Sequence, residues 1–129
     1  IKKWTRSFSL LFIMTIRYKN QGFKQAGTGK TTVFTCPSDA TVIVKSVYCS
    51  NSDASSAILV NMNFVDSSDS STEYEFFRDD LAAKSQVNAT PQGLNLEAGD
   101  AITVQAATGS NTIQGLISYA QIDRSQENG

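Results

Sequence analysis

Along residues 8–19, FSLLFIMTIRYK, the side chains Phe8, Leu10, Phe12, Met14, Ile16 and Tyr18 alternate with Ser9, Leu11, Ile13, Thr15, Arg17 and Lys19. A repeat of two belongs to extended backbone, so this stretch is predicted to be a strand. The same signal returns from residue 30 onward. KTTVFTC is β-branched and aromatic and stops at Pro37-Ser38-Asp39. ATVIVKSVYCS is the strongest strand of all, because Val42, Ile43, Val44 and Val47 pack well on a pleated surface and lose little by being extended. After a polar turn at Asn51–Ser56, AILVNMNFVD places Ile58, Val60, Met62 and Phe64 on one face and Asn61 and Asn63 on the other.

The loop SSDSST leads into EYEFFR, where strict alternation puts Tyr74 and Phe76 opposite Glu73, Glu75 and Phe77. DDLAAKSQVNATPQG is the least legible part: an irregular strand and a loop, with a helical turn at Asp79–Lys84 as an option because acids stand at its start. The pattern then clears. Leu94 and Leu96 precede a tight turn at Ala98-Gly99-Asp100, a strand carries Ile102 and Val104, Gly109 turns the chain, and a last long strand runs to Ile122. Seven or eight short strands with no convincing helix predict an all-β fold, an antiparallel β-sandwich of jelly-roll or immunoglobulin-like type. The expected organisation is an extended N-terminal basic arm over residues 1–29, the sandwich over 30–122 and a polar tail over 123–129.

Composition narrows the chemistry. The chain has 129 residues, enough for one domain that holds a core without staples, and it contains no histidine. His-based triads, most zinc sites and the commonest general base are therefore excluded. The net charge of −1 conceals a division. Residues 1–45 carry eight cations against Asp39 alone, and residues 46–129 carry three cations against eleven acids. Opposite halves of this kind suit head-to-tail contact between copies, or a basic arm laid on an acidic neighbour. Cys36 and Cys49 are too few for a disulfide framework; each reads as a small apolar thiol on a strand, and whether they bridge is open.

The N-terminal run IKKWTRSFSLLFIMTIRYK starts with Ile, and Met14 is an alternative natural start. Basic residues before an apolar run resemble a secretory signal, but no small-x-small cleavage site follows, and the run is well short of the roughly 20 residues that span a bilayer. A basic, apolar strand lacking its own sheet needs a partner edge. The residues expected to form an interface with another chain or copy are Lys2, Lys3, Trp4, Arg6, Phe8, Leu10, Phe12, Arg17, Tyr18, Lys19 and Lys24.

One stretch imitates a nucleotide-binding motif. AGTGKTTVF contains Gly27-Thr28-Gly29-Lys30-Thr31, the end of a phosphate-binding loop. That loop also needs a glycine where Lys24 stands, a buried strand before it and a helix after it. Here a polar run precedes it and a strand pattern follows, so a glycine turn entering a strand is expected instead. Asp66, Asp69 and Glu73 in DSSDSSTE lack the spacing and central glycine of a calcium loop and read as a solvated hairpin turn. Asp79 and Asp80 are adjacent on a strand pattern and point to opposite faces. Asn88-Ala89-Thr90 is a glycosylation sequon only in a secreted eukaryotic protein. Basic residues from Arg17 to Lys30 interleave Tyr18 and Phe23, but the chain is acidic overall, unlike nucleic-acid modules. No cofactor, metal, nucleic acid or membrane is implied, and no residues combine a nucleophile, a base and a charge stabiliser.

Taken together, IRYKNQG, the Gly-Thr run into TTVFTCPSDATVIVKSVYCSN, LNLEAGDAITVQAATGSN and the closing ISYAQI resemble short virion proteins of tailed bacteriophages, especially those of marine cyanobacteria. The likeness covers residues 14 to 122. It implies a non-enzymatic virion component, a capsid decoration protein or a neck or tail accessory protein. Its partners would be itself, as a homo-oligomer such as a trimer, and other virion proteins such as the major capsid protein. The alternative is a carbohydrate-binding or host-attachment module of the virion, using aromatics such as Trp4, Tyr48, Tyr74 or Tyr119 to stack on sugars.

Overall fold

A computed structural model describes the backbone of residues 12–126 and the side chains of residues 15–123. Nine strands follow one another: β1 (Phe12–Lys24), β2 (Thr31–Thr35), β3 (Ala40–Asn51), β4 (Ile58–Asp66), β5 (Thr72–Leu81), β6 (Ser85–Asn88), β7 (Leu94–Leu96), β8 (Ala101–Ala106) and β9 (Ile113–Gln126). A single 3-10 turn at Ser67–Asp69 is the only helical element among the described residues. The first sheet has the order β1-β9-β3-β6, with β7 also paired to β3; the second has the order β2-β8-β4-β5, and every pairing is antiparallel. The chain crosses between the sheets at every step except β4 to β5 and β6 to β7, in the pattern of a jelly roll, which decides between the two sandwich types that the sequence left open.

The core lies between the two sheets. Val42, Val47, Ile113 and Ile117 from the first meet Val60, Met62, Ile102 and Val104 from the second, all fully buried. At the open end beside β1 and β2, the rings of Phe34 and Tyr119 close the layers with centroids 4.6 Å apart. Cys36 and Cys49 are both buried and not bridged. Cys36 lies just past β2 rather than on a strand, its Sγ 3.4 Å from the Ala40 carbonyl oxygen. Burial pushes the Cys49 thiol up to about 11, so it stays protonated and inert.

Three expectations are corrected. Residues 12–24 are not an arm: β1 pairs along its whole length with β9 of the same chain, and β9 continues through the expected tail to Gln126. A basic strand does take a partner edge here, but its own sheet supplies it, which local patterning cannot reveal. Second, the helical turn at Asp79–Lys84 does not form. Residues 79–81 finish β5, and Lys84, at φ +57°, turns the chain into β6. Third, Phe76 and Phe77 both pack on the core, because Met62 pairs with Phe77 and Asn63 with Glu75, leaving Phe76 as the extra residue of a bulge.

The turn LEAGD is held by one carboxylate. Asp100, buried, accepts from the Glu97 amide and from the amide and hydroxyl of Ser67, all at 2.9 Å, while Gly99 sits at φ +86°. On β9, Gly115 is required by space. A Cβ there would lie 2.1 Å from the Phe23 ring and 2.4 Å from the Tyr48 carbonyl oxygen. Gly115→Ala is expected to destabilise the protein by about 2–3 kcal/mol, read as a loss of roughly 5–10 °C in Tm by calorimetry. An unchanged Tm would show that Phe23 does not seat over β9.

Candidate assembly surface

The chemistry-like motifs turn out to be turn chemistry. The Gly27–Gly29 loop is organised by Gln25, which is buried and whose Nε2 donates to the carbonyls of Gly27 and Gly29 at 3.1 and 2.7 Å. The chain then enters β2 directly, as the sequence indicates, and Lys30 pairs with Glu73 at 3.1 Å. Asp66 accepts from the Ser68 amide and hydroxyl, and Asp69 accepts from the Tyr74 hydroxyl, so DSSDSSTE is a braced hairpin turn. The Asn88 side chain accepts from the Thr90 amide and hydroxyl, and the Thr90 hydroxyl in turn accepts from the Val47 amide at 2.7 Å beside the bulge in β3. Among the described residues no three His, Cys, Asp or Glu side chains come together as metal ligands.

What the fold does expose is an apolar outer face on the first sheet. Phe23 is buried against β9, and alternation therefore turns Thr15, Arg17, Lys19 and Gln21 to the same inward side and Ile16, Tyr18, Asn20, Gly22 and Lys24 outward. Register sets Ile16 beside Ile122 and Thr41, and Tyr18 beside Ala120 and Ile43. Ile16 is 56%, Tyr18 75% and Ile43 43% exposed. Further along the same face, Leu116 pairs with Tyr48, both exposed. Five of the seven large exposed apolar side chains of the described residues therefore share this one face. Lys45, on the bulge of β3, holds its ammonium 5.0 Å from the Tyr18 ring centroid, a cation–π contact that adds charge to the rim.

Of the described inward-pointing side chains of β1 only Phe23 is buried; Thr15, Arg17, Lys19 and Gln21 are exposed as well. Lys19 and Gln21 line a groove of about 340 Å³ with Thr32, Phe34, Tyr119 and Gln121. Arg17 meets Asp123, Nη2 to Oδ2 at 2.6 Å, and Gln121 donates to the other carboxylate oxygen at 2.7 Å. The Gln121 hydrogen bond, then Arg17, hold the Asp123 carboxyl below its usual range. Two of the three ion pairs among the described residues, Arg17–Asp123 and Lys30–Glu73, join the basic N-terminal part to the acidic remainder, so some of the charge division is answered within the chain.

Of the residues expected to form an interface, Arg17, Tyr18, Lys19 and Lys24 stand together on β1, all exposed. Phe12 is on the same strand, its side chain outside the described residues, as are Lys2, Lys3, Trp4, Arg6, Phe8 and Leu10. Ile16, Ile43, Lys45 and Ile122 were not among the expected residues. The signal for Ile43 was there: ATVIVKSVYCS is apolar on both faces, and an antiparallel strand with two apolar faces has a second face to cover. Among the aromatics considered for sugars, Tyr119 is buried, Tyr48 and Tyr74 are exposed, and the Tyr74 hydroxyl is engaged by Asp69.

No protein-family model matches the chain, and no curated protein is similar to it in sequence. Solved structures do share its fold. A chain of the acid-stable capsid of Helicobacter pylori bacteriophage KHP30 superimposes with a TM-score of 0.53 at 14% identity, over 90% of this chain and 99% of the other. The fold is that of viral capsid jelly rolls. A chain of the virus-like particle of the extra small virus of the prawn Macrobrachium rosenbergii superimposes with a TM-score of 0.50 at 13% identity, over 89% and 81%. A chain of the cyanophage Pam1 capsid asymmetric unit is more distant, with a TM-score of 0.37 at 19% identity over 87% and 85%. At these identities the likeness is one of architecture.

Two outcomes follow from this surface. Ile16→Ser with Tyr18→Ser should change Tm by no more than about 2 °C, because both side chains already face solvent, while weakening any self-association seen by sedimentation velocity; a large fall in Tm would mean that the face belongs to the core. The second concerns acid. Asp123, Glu75 (held down by Arg78) and Asp53 (held down by the Ser55 and Ser56 amides) all have lowered folded-state values. Their contribution is therefore present above the unfolded carboxyl value of about 4 and is lost as pH falls through the folded ones. Tm should drop between about pH 4.5 and pH 2, and Asp123→Asn should flatten that drop, which a pH series of melts will read.

Proposed function

We propose that this chain is a non-enzymatic structural protein of a virion, a capsid decoration protein or a neck or tail accessory protein, that self-assembles and docks on the particle through the β1 side of its jelly roll. The observation that carries the reading is the outward apolar face of β1, β9 and β3 on a jelly roll that superimposes on a bacteriophage capsid chain over nine-tenths of its length. A chain of this size can serve a particle by repetition: many copies, each offering the same patch, multiply a weak contact into a stable shell. Residues 1–11, with Lys2, Lys3, Trp4, Arg6, Phe8 and Leu10, precede β1 in the sequence and are proposed to extend the contact onto a neighbouring virion protein such as the major capsid protein.

One observation favours a second reading, a glycan-binding module of the virion. Exposed Tyr48 adjoins a groove of about 370 Å³ shared with Gln86, Gln114 and Gly115, and an aromatic flanked by amides is chemistry that suits sugars. The deciding experiment is labelling of purified particles with antibody against the chain, together with a glycan array. Regular labelling of the particle surface and a silent array support the structural role. Particles without label contradict both readings, and specific array binding abolished by Tyr48→Ala transfers the assignment to the second.

A further inference from the structure

The two longest free sheet edges carry opposite charge and lie at opposite ends of the sandwich. β1 ends the first sheet and pairs only with β9; β5 ends the second and pairs only with β4. β1 shares its groove with β2, whereas β5 lies against β6, so the two edges face away from each other. β1 brings Arg17, Lys19 and Lys24 and no acid. β5 brings Glu73, Glu75, Asp79 and Asp80 against Arg78, and the end of β4 and the turn that follows it add Asp66 and Asp69. The remaining edge strands, β2, β6 and β7, bear no charge at all.

Both charged edges are also exposed on both faces. Residues 15–22 of β1 are solvent-exposed without a break, and so are 72–75 and 78–80 of β5. Such edges present unpaired backbone groups to any other chain, and proteins commonly guard them with charge. Guarding alone would be served by lysine on both. A positive edge at one end and a negative edge at the other repel self-pairing of like edges, and between these two long edges the one attractive contact is β1 of one copy against β5 of the next.

We infer that copies of this chain associate head to tail, the basic β1 edge of one protomer against the acidic β5 edge of its neighbour. This rests on the reading of the chain as an assembling virion protein and names the contact. The interface is heterologous: the same two patches repeat at every junction, closing into a ring where the rotation allows and growing into a row where it does not. Lys19, Lys24, Asp79 and Asp80 take part in none of the three ion pairs among the described residues; Lys19 acts on Asp123 only through space and Asp79 accepts from the Asp80 amide, so the charges of all four can still pair with a neighbour. The contact is a salt-sensitive one, since surface charges are screened within roughly 10 Å at 0.1 M salt.

A charge-swap experiment on the full chain tests this. Three proteins are compared by sedimentation velocity at low and high salt: wild type, Lys19→Glu with Lys24→Glu, and Asp79→Lys with Asp80→Lys, each first checked to melt within a few degrees of wild type. Wild type is expected to associate, at least tenfold more weakly at high salt. Each variant alone is expected to be at least tenfold weaker than wild type, since its two edges now carry the same sign. Mixing the two variants is expected to restore association, and so is combining all four substitutions in one chain. Variants that associate like wild type, or a mixture that stays monomeric, would overturn the inference while leaving particle labelling to judge the virion role. Wild type that stays monomeric at 100 µM in low salt would overturn it as well.

Discussion

The last of the described strands holds the first sheet together. β9 lies between β1 and β3, paired with β1 from Phe12 to Lys24 and with β3 from Ala40 to Asn51, so the first and last described strands lie side by side in one layer. Without β9, β1 has no partner and β3 loses one of its neighbours. The same strand supplies Ile113, Ile117 and Tyr119 to the core and, at Gly115, the gap into which Phe23 fits. A fold closed by such distant pairing forms late and as a whole, since loop closure must precede the contacts that stabilise it.

That arrangement also explains why the proposed assembly surface lies where it does. β1 is added outside β9, at the edge of the first sheet, so its two faces have different tasks. Outward, Ile16 and Tyr18 continue the apolar rows begun by Ile43, Ala120 and Ile122. Inward, Arg17 and Lys19 stand where a core strand would place apolar residues, and Arg17 ties the strand to Asp123. A solitary folded domain gains nothing from an apolar outer face, and a charged edge serves it only as a guard against unwanted pairing. An assembling one uses both, and neither requires a reactive group.

Much of the strand content was legible because side-chain alternation survives in β3, β4 and β8, and because Gly99-Asp100 and Pro37-Ser38 mark turns by local chemistry. The GTGK stretch could be read correctly as a turn for the same reason: its flanks favour extended backbone over a helix. The misreadings have a common physical origin. The bulge at Phe76 shifts the face of every residue before it by one, and β1 is a strand of the sandwich because of β9, nearly a hundred residues away. Local periodicity reports that a segment is extended but not which neighbour it joins. Part of the candidate surface was likewise visible, in the basic residues of β1. Its apolar half was only hinted at, by the two apolar faces of ATVIVKSVYCS, because Ile43 and Ile122 look like core until the register shows which way they point.

The central claim is that this jelly roll works by contact through the β1 side of its first sheet. A cryo-electron microscopy reconstruction of the intact particle tests it most directly. The account predicts that each copy is seated with Ile16, Tyr18 and Ile43 covered by a neighbouring chain, whether another protomer or a different virion protein. A reconstruction in which that face points to open solvent, while the molecule is anchored elsewhere, would contradict it.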